Sequence, residues 1–391
     1  MIIRVLLVLA LLLMPVCTLY AAEGVSIGAV LPLSGKFATF GNKALQGAEL
    51  AIERYNSTDA GKKRPVRLLI KDSQGLPEMA EKTVKELDGE GVSAIIGPLL
   101  GVTAETAAKK AQELGIPMIT MTQKDGITGI GEGIFRNCVT NAGQVNALAE
   151  YAAREGIKKI AVLYPDNIYG KELNSLFASE AAKRGIRIVA TQVYSEGQTD
   201  FGQEIKGLPG LGSPKKQKET VKPGFDAIFI PDYAERVGLI LPQLAFYDVT
   251  DVRLLGTTGW NSPRLLSLAG DYMKNAFFVD GFFSGSGRPH VKDFVGVYWN
   301  TFGEEPGLLE ALAYDTAGVI VSIAGQGKGS REEIRGGIDG TKGYKGVSGD
   351  ISFEARDARR SYYLLTVREG RIEEVGTSEG ITPLTNEPII K

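Results

Sequence analysis

From Val25 to about Leu254 the chain alternates between two textures. Short, β-branched apolar runs (VSIGAVL, VRLLI, VSAIIG, IPMIT, KKIAVLY, IRIVATQVY, DAIFI and VRLLG) predict strands. Between most of them lie segments with apolar residues at helical spacing. In GNKALQGAELAIERYN, Ala44, Leu45, Ala48, Ala51, Ile52 and Tyr55 fall on one stripe, the 3.6-residue period of a helix packed on one face. AETAAKKAQELG and FASEAAKRG end on Gly115 and Gly185, a usual helix stop. Strand–helix alternation with short links predicts an α/β fold of mainly parallel sheets covered by helices on both faces.

The alternation comes in two blocks, 25–120 and about 144–255, so two lobes are expected. Between them MTQKDGITGIGEGIFRNCVTNAG has little periodicity and reads as connection, including a crossing from one lobe to the other. Helical texture returns in VKDFVGVYWNTFG and LLEALAYDTAGVIVSIAG. The chain then closes with strand-like GDISF and SYYLLTV, the latter joined to RIEEV by the turn Glu369-Gly370. Late segments shared between two lobes place a cleft in the middle. One insertion breaks the rhythm: 207–224 is rich in Gly, Pro and Lys and reads as a solvated loop.

The amino terminus is of another kind. MIIRVLLVLALLLMPVCTLYAAEG has a basic residue, an apolar run from Val5 to Val16 and small residues at Ala21-Ala22, the pattern of an export signal cut near Ala22. Twelve apolar residues fall short of the ~20 that a spanning helix needs. A lipid anchor at Cys17 is disfavoured because Met14-Pro15-Val16 is a poor lead-in. Cleavage there leaves Cys138 alone, so no internal disulfide can form. Stability must then come from the core, which a chain of this length can supply.

Composition narrows the function. With 23 % charged residues and a formal net charge of −2 over 391 residues, no electrostatic footprint for nucleic acid stands out. The single histidine, His290, excludes histidine triads and multi-histidine metal sites by count, and its polar surroundings suit an exposed loop or helix start. GAVLPLSGK looks at first like a phosphate-binding loop. However, six residues separate Gly28 from Gly35, Phe37 follows Lys36, and Pro32 removes a backbone N–H. Gly24-Val25-Ser26-Ile27-Gly28 has the Gly-x-Ser-x-Gly spacing but lies in the first strand run and makes no strand-to-helix elbow, and no His-Glu-x-x-His or paired Cys-x-x-Cys pattern occurs. The sequence reads as a binder, not an enzyme, with no cofactor and no metal.

In an open α/β sheet, ligands sit outside the carboxyl ends of the strands. Those positions here hold Ser34, Gly35 and Phe40; Leu100 to Thr103; Met121 to Lys124; Asp166 to Tyr169; Asp232 and Tyr233; and Thr257 to Asn261. Aromatics with hydroxyls and amides suit a small polar ligand.

At this point the chain resembles a known family. IGAVLPLSGKFATFGNKALQGAELAIERYN, AIIGPL with GIPMIT, IAVLYPDNIYGKEL and the closing GVSGDISFEARDARRSYYLLTVREGRI are similar to type I periplasmic binding proteins of the leucine/isoleucine/valine group. The resemblance spans nearly the whole mature chain. It implies two lobes with three crossovers: lobe I from 23–141 plus 282–345, lobe II from 142–281 plus 346–391. It also implies a hinged clamp that delivers a small solute, an amino acid or related carboxylate, to an ABC permease outside the cytoplasm. A monomer is expected.

Carried over residue by residue, the resemblance places Phe40, Tyr169 and Tyr233 as ligand aromatics, with Thr120 to Thr122 and Lys124 nearby. Three anchors differ: the serine for a ligand carboxylate falls on Gly101, and two acids for a ligand ammonium fall on Asn141 and Thr258. Val102 and Thr103 complete a helix start whose N–H groups can hold an anion. A buried ammonium without a counter-charge loses several kcal/mol, so an anionic or neutral ligand is as well accommodated as a free amino acid. Asp232 either replaces the lost acid or caps the helix beginning near Ala234, and Asn141 either meets ligand or caps its own helix. Trp260 either stacks on the ligand or seals the hinge. GPLLGV and FDAIFIPDYAERVGLILPQLAFYDV also resemble the binding-protein-like domain of penicillin-binding-protein activators, which implies a different partner, a cell-wall synthase.

Overall fold

The computed structural model describes residues 24–211, 223–377 and 380–381. The expected export signal and Cys17 lie outside them, as does most of the 207–224 loop. All eight runs read as strands are strands. β1 (Val25–Leu31), β2 (Val66–Asp72), β3 (Ala94–Ile96) and β4 (Met118–Thr120) pair in parallel, and β5 (Ile134–Arg136) adds to β4. β6 (Lys159–Pro165), β7 (Arg187–Tyr194), β8 (Ala227–Phe229), β9 (Arg253–Gly256) and β10 (Ala276–Asp280) form the parallel part of a second sheet. β5 corrects the reading of 121–143 as connection alone. Only three residues long, it shows no period of its own.

The chain then returns. β11 (Tyr344–Gly346), β12 (Gly349–Glu354) and β13 (Asp357–Arg360) extend the first sheet to the order β11-β12-β13-β5-β4-β3-β1-β2. β14 (Tyr363–Arg368), β15 (Arg371–Thr377) and β16 (Gly380–Ile381) complete the second as β16-β15-β14-β10-β9-β8-β6-β7. The expected return to lobe II at 346 is therefore corrected. Strands through Arg360 pair within the first sheet, and the crossing falls at 361–362, where Tyr363 begins to pair with Asp280.

The helix Leu308–Gly325 is long and apolar enough to cross a membrane, but it is buried inside the first lobe against the helix Ala38–Ser57. Gly47 is required at that contact. A Cβ there would lie 2.1 Å from the Glu310 carbonyl oxygen, so the two backbones touch. Lys43 donates to Glu310 at 2.9 Å beside it, and burial leaves Glu310 no water to turn to.

The same helix anchors two crossovers. Asp315, fully buried, accepts the N–H groups of Val347 (2.8 Å) and Ser348 (2.7 Å) and the Ser348 hydroxyl. Arg360 donates to the Ser348 carbonyl (2.9 Å), the Ser348 hydroxyl (2.8 Å) and Asn137 Oδ1, while Asn137 Nδ2 reaches Thr316 Oγ1 at 2.9 Å. One buried chain of hydrogen bonds thus joins the first crossover to the third. Burial pushes the Asp315 carboxyl up to about 6, with the Ser348 and Val347 donors and the Arg360 charge opposing.

Candidate functional site

Each wall is built at the carboxyl ends of the strands. After β1 the loop carrying Ser34 and Gly35 folds over Asp72, whose carboxylate accepts Leu33 N (2.8 Å), Ser34 N (3.3 Å), Gln74 N (2.7 Å) and the Ser34 hydroxyl. Burial works against that charge, but the donors, the Ser34 hydroxyl first, hold the carboxyl below its ordinary value. Gly35 sits at φ +75°, where a side chain would be strained. GAVLPLSGK is therefore the end of β1 followed by a loop tied to the neighbouring strand β2. It leads into the helix bearing Phe40, which is 54 % exposed.

Beyond β3, the helix Gly101–Glu113 starts at Gly101 and exposes Val102. Thr103 is buried and donates to Leu100 O at 2.9 Å. Thr120 is also fully buried, its hydroxyl 3.2 Å from Phe135 O, so it lies within the sheet and away from the cleft surface. Thr122 Oγ1, nearly buried, accepts Lys124 N at 3.2 Å, and Lys124 Nζ pairs with Glu105 at 3.0 Å.

On the second lobe Asn167 caps the helix Ile168–Lys183 by accepting Gly170 N at 2.8 Å. Tyr169, one residue into that helix, stacks on Tyr233 with centroids 5.1 Å apart and planes 18° apart, and its hydroxyl lies 3.2 Å from Thr257 Oγ1. Tyr233 leaves 54 % of its surface to solvent. The structure brings this pair together from segments sixty-odd residues apart.

Three expectations are corrected. Trp260 is wholly buried among Phe278 and its neighbours in the second-lobe core, with its indole N–H on Ile230 O at 3.1 Å, so it neither faces a solute nor sits at a crossover. Asp232 is neither cap nor free acid: it accepts the Tyr194 hydroxyl at 2.6 Å and Tyr233 N at 2.8 Å, and Tyr233 holds the cap position. Thr140, not Asn141, caps the helix Asn141–Arg154 by accepting Gly143 N at 3.0 Å, which leaves the Asn141 side chain free of that duty. Thr258 N donates to Gln144 Oε1 at 3.1 Å, locking its loop to the same helix.

Asn141 instead lines a recess of about 280 Å³ between the lobes. Gln123, Asp125, Arg136 and Asp357 supply its first-lobe side, and Glu172 and Leu176 the second. Arg136 is held by Asp357 on two nitrogens and by Asp125 at 3.2 Å, and the Asp357 bond raises its already high pKa. The sequence reading missed these residues. Glu172 could have been found, one turn beyond Tyr169, whereas Arg136 and Asp357 meet across more than two hundred positions without a local signal. Among the described residues no group of three or more His, Cys, Asp or Glu is placed to hold a metal ion.

Asp280, the last residue of β10, clips the second crossover to this wall. It accepts Gly281 N at 2.6 Å, Phe282 N at 3.4 Å and Asn261 Nδ2 at 2.8 Å. Burial nevertheless pushes its carboxyl up from 3.8 to about 7. Between those values the folded chain binds more protons than the unfolded one. This contribution to stability is therefore fully present below pH 3.8 and is lost as pH rises through about 7. From pH 5 to pH 7 the loss is about 2 kcal/mol. Asp280→Asn should flatten that slope, since the Asn261 amide can turn to meet the new one. Urea unfolding at the two pH values checks this, and equal slopes in both proteins would refute it.

Comparison with known proteins supplies the context. The sequence profile described as periplasmic binding protein matches residues 24–371. A Brucella melitensis protein named Leu/Ile/Val-binding protein homolog 3 is 26 % identical over 279 residues, covering 70 % of this chain and 72 % of its own length. Among solved structures, a Rhodospirillum rubrum protein assigned to branched-chain amino acid ABC transport superposes with a TM-score of 0.82 at 22 % identity, over 90 % of this chain and all of the other. The Streptococcus pneumoniae substrate-binding protein LivJ, solved with isoleucine, gives 0.62 at 26 % identity, over 90 % of this chain and 98 % of the other.

Proposed function

Because the chain belongs to the periplasmic binding protein family, and so is a solute-binding protein rather than an enzyme, we propose that it captures a small carboxylate-bearing solute between its lobes and hands it to an ABC permease. The family is extracytoplasmic, and export by a leader cut near Ala22 is part of the proposal. What supports it is the inter-lobe recess, together with aromatic rings left open to solvent on both lobes. Phe40 stands on one lobe and the Tyr169–Tyr233 stack on the other, each at the strand ends of its own sheet. Exposed rings at both margins leave apolar area to be covered when the lobes rotate about the crossovers and a solute fills the gap. The Leu/Ile/Val-binding relatives and the isoleucine in LivJ support a solute of amino-acid size.

Residues 23–391, unfolded and refolded to strip any carried-over solute, should respond in a thermal-shift screen of amino acids, aliphatic and aromatic carboxylates, nucleobases and cell-wall peptides. A ligand at 100 times its Kd adds ~2.7 kcal/mol, enough to raise Tm by a few degrees. A flat screen on folded protein would reject solute capture and turn attention to a protein partner.

A further inference from the structure

The second crossover carries a carboxyl whose donors come from both sides of the hinge. Asp280 ends β10 and pairs with Tyr363 in the second sheet, whereas Phe282, two residues on, packs with Leu50, Phe294 and Ala311 in the first lobe. Asp280 Oδ1 accepts Gly281 N at 2.6 Å and Phe282 N at 3.4 Å, and Oδ2 accepts Asn261 Nδ2 at 2.8 Å. The same Asn261 nitrogen, with a second hydrogen to give, lies 3.4 Å from Phe282 O. The bonds to Gly281 and Asn261 are short, while the two that reach across to Phe282 are both long.

Rotation of the lobes acts at this place. A Cβ on Gly281 would sit 2.2 Å from Val139 Cγ2 of the first crossover and 3.0 Å from Leu308 Cδ1. Two crossovers touch here, so a change of angle between the lobes passes through the span from Asp280 to Phe282. A bond of 3.4 Å has little strength left to lose. The movement that matters to the carboxyl is therefore the one that shortens it.

The charge on Asp280 decides how much that shortening is worth. An N–H bond to an ionised carboxylate is about twice as strong as one between neutral groups. No charged side chain among the described residues bears on Asp280. Its surroundings are the Asn261 amide, Val139 and Leu308 over Gly281, and Tyr363 of β14, whose hydroxyl is given to Val347 O at 2.7 Å. With burial pushing the carboxyl up to about 7, both of its forms are populated near neutral pH. Asp315 gives the contrast. It is buried too, yet Val347, Ser348 and Arg360 all lie on the first-lobe side, so rotation leaves its partners in place.

We infer, resting on the solute-binding reading above, that the Asp280–Phe282 contact is a proton-linked hinge: as the lobes close on a solute, Phe282 N is drawn onto the ionised Asp280 carboxylate, and a proton held there leaves. Capture is favoured as pH rises, and release as it falls.

The test is calorimetry on residues 23–391 at pH 7 in phosphate and in HEPES, whose different heats of ionisation count the protons released. The probe is L-leucine, replaced by the strongest hit of the thermal-shift panel if leucine is silent. A carboxyl that moves from about 7 to about 6 or below should release about 0.4 proton per solute and weaken binding about five- to tenfold from pH 8 to pH 6. Asp280→Asn has no proton to give up, so it should release none and bind alike at both pH values. The protons of the probe, of His290 and of Asp315 are common to both proteins, so the difference between them belongs to Asp280. A wild type that releases no proton, or takes one up, overturns the inference and leaves solute capture standing. So does an Asp280→Asn variant that releases as much as the wild type. Should that variant fail to fold, the wild-type count decides alone. A panel without any binder removes the solute reading, and the hinge inference with it.

Discussion

Trp260→Ala is expected to lower the unfolding free energy by about 3–5 kcal/mol, the range for deleting a large aromatic from a packed core. The indole is fully buried, packs against Phe278 at a centroid distance of 6.2 Å, and presses so closely on β9 that a Cβ at Gly256 would lie 2.2 Å from the ring. Its removal opens a void that the strand backbone cannot fill, and it takes one of two donors from the Ile230 carbonyl, which keeps Asp232 N. Trp260→Phe should cost less, because most of the volume remains. Urea unfolding followed by circular dichroism measures both. A loss below about 0.5 kcal/mol, typical of an exposed side chain, would put Trp260 back on the cleft surface.

Asp315→Ala should cost a similar amount, about 3–5 kcal/mol, for a different reason. The carboxylate is the acceptor for Val347 N, Ser348 N and the Ser348 hydroxyl, and the charge facing Arg360. Without it a guanidinium only 8 % exposed loses the carboxylate its charge faces, and its Nε already lacks a partner among the described residues. Asp315→Asn keeps an acceptor and the shape and should recover part of the loss. Chemical denaturation of the pair gives the comparison. If alanine and asparagine were equally mild, the buried chain from Asp315 to Asn137 would not be holding the crossovers.

Most of the parallel strands were legible: the central ones β1, β3, β4, β6, β8 and β9 pack both faces and show apolar runs, and the edge strands β2 and β7 keep β-branched or apolar residues. β5 and β10 were not. Ile134–Arg136 is three residues within a glycine-rich stretch, and Ala276–Asp280 follows a short helix and turn with no periodic lead-in. The chain's third crossing was misplaced because β13 joins the first sheet through β5, its pairing partner some 220 positions earlier, and nothing in Asp357–Arg360 announces that choice. The strand-end rule singled out Tyr169 and Tyr233, which the structure stacks on each other, and Lys124, which it pairs with Glu105. It could not separate Trp260 from them, since a three-residue turn has no period from which to tell an inward ring from an outward one. Nor could it foresee that Tyr194 would claim Asp232.

The late return of the chain also has a consequence for how the protein is made. A ribosome works from the amino terminus, yet the helix Ala38–Ser57 lacks its packing partner until Leu308–Gly325 has emerged, and the first sheet lacks three strands until Arg360. The second sheet waits for Tyr363–Arg368 to cover β10. Neither lobe is an autonomous folding unit that could be finished early. Nascent chains cut short before about residue 370 leave apolar helix faces and open sheet edges uncovered, which are the features that draw chaperones and proteases. Folding is thereby postponed until almost the whole polypeptide exists.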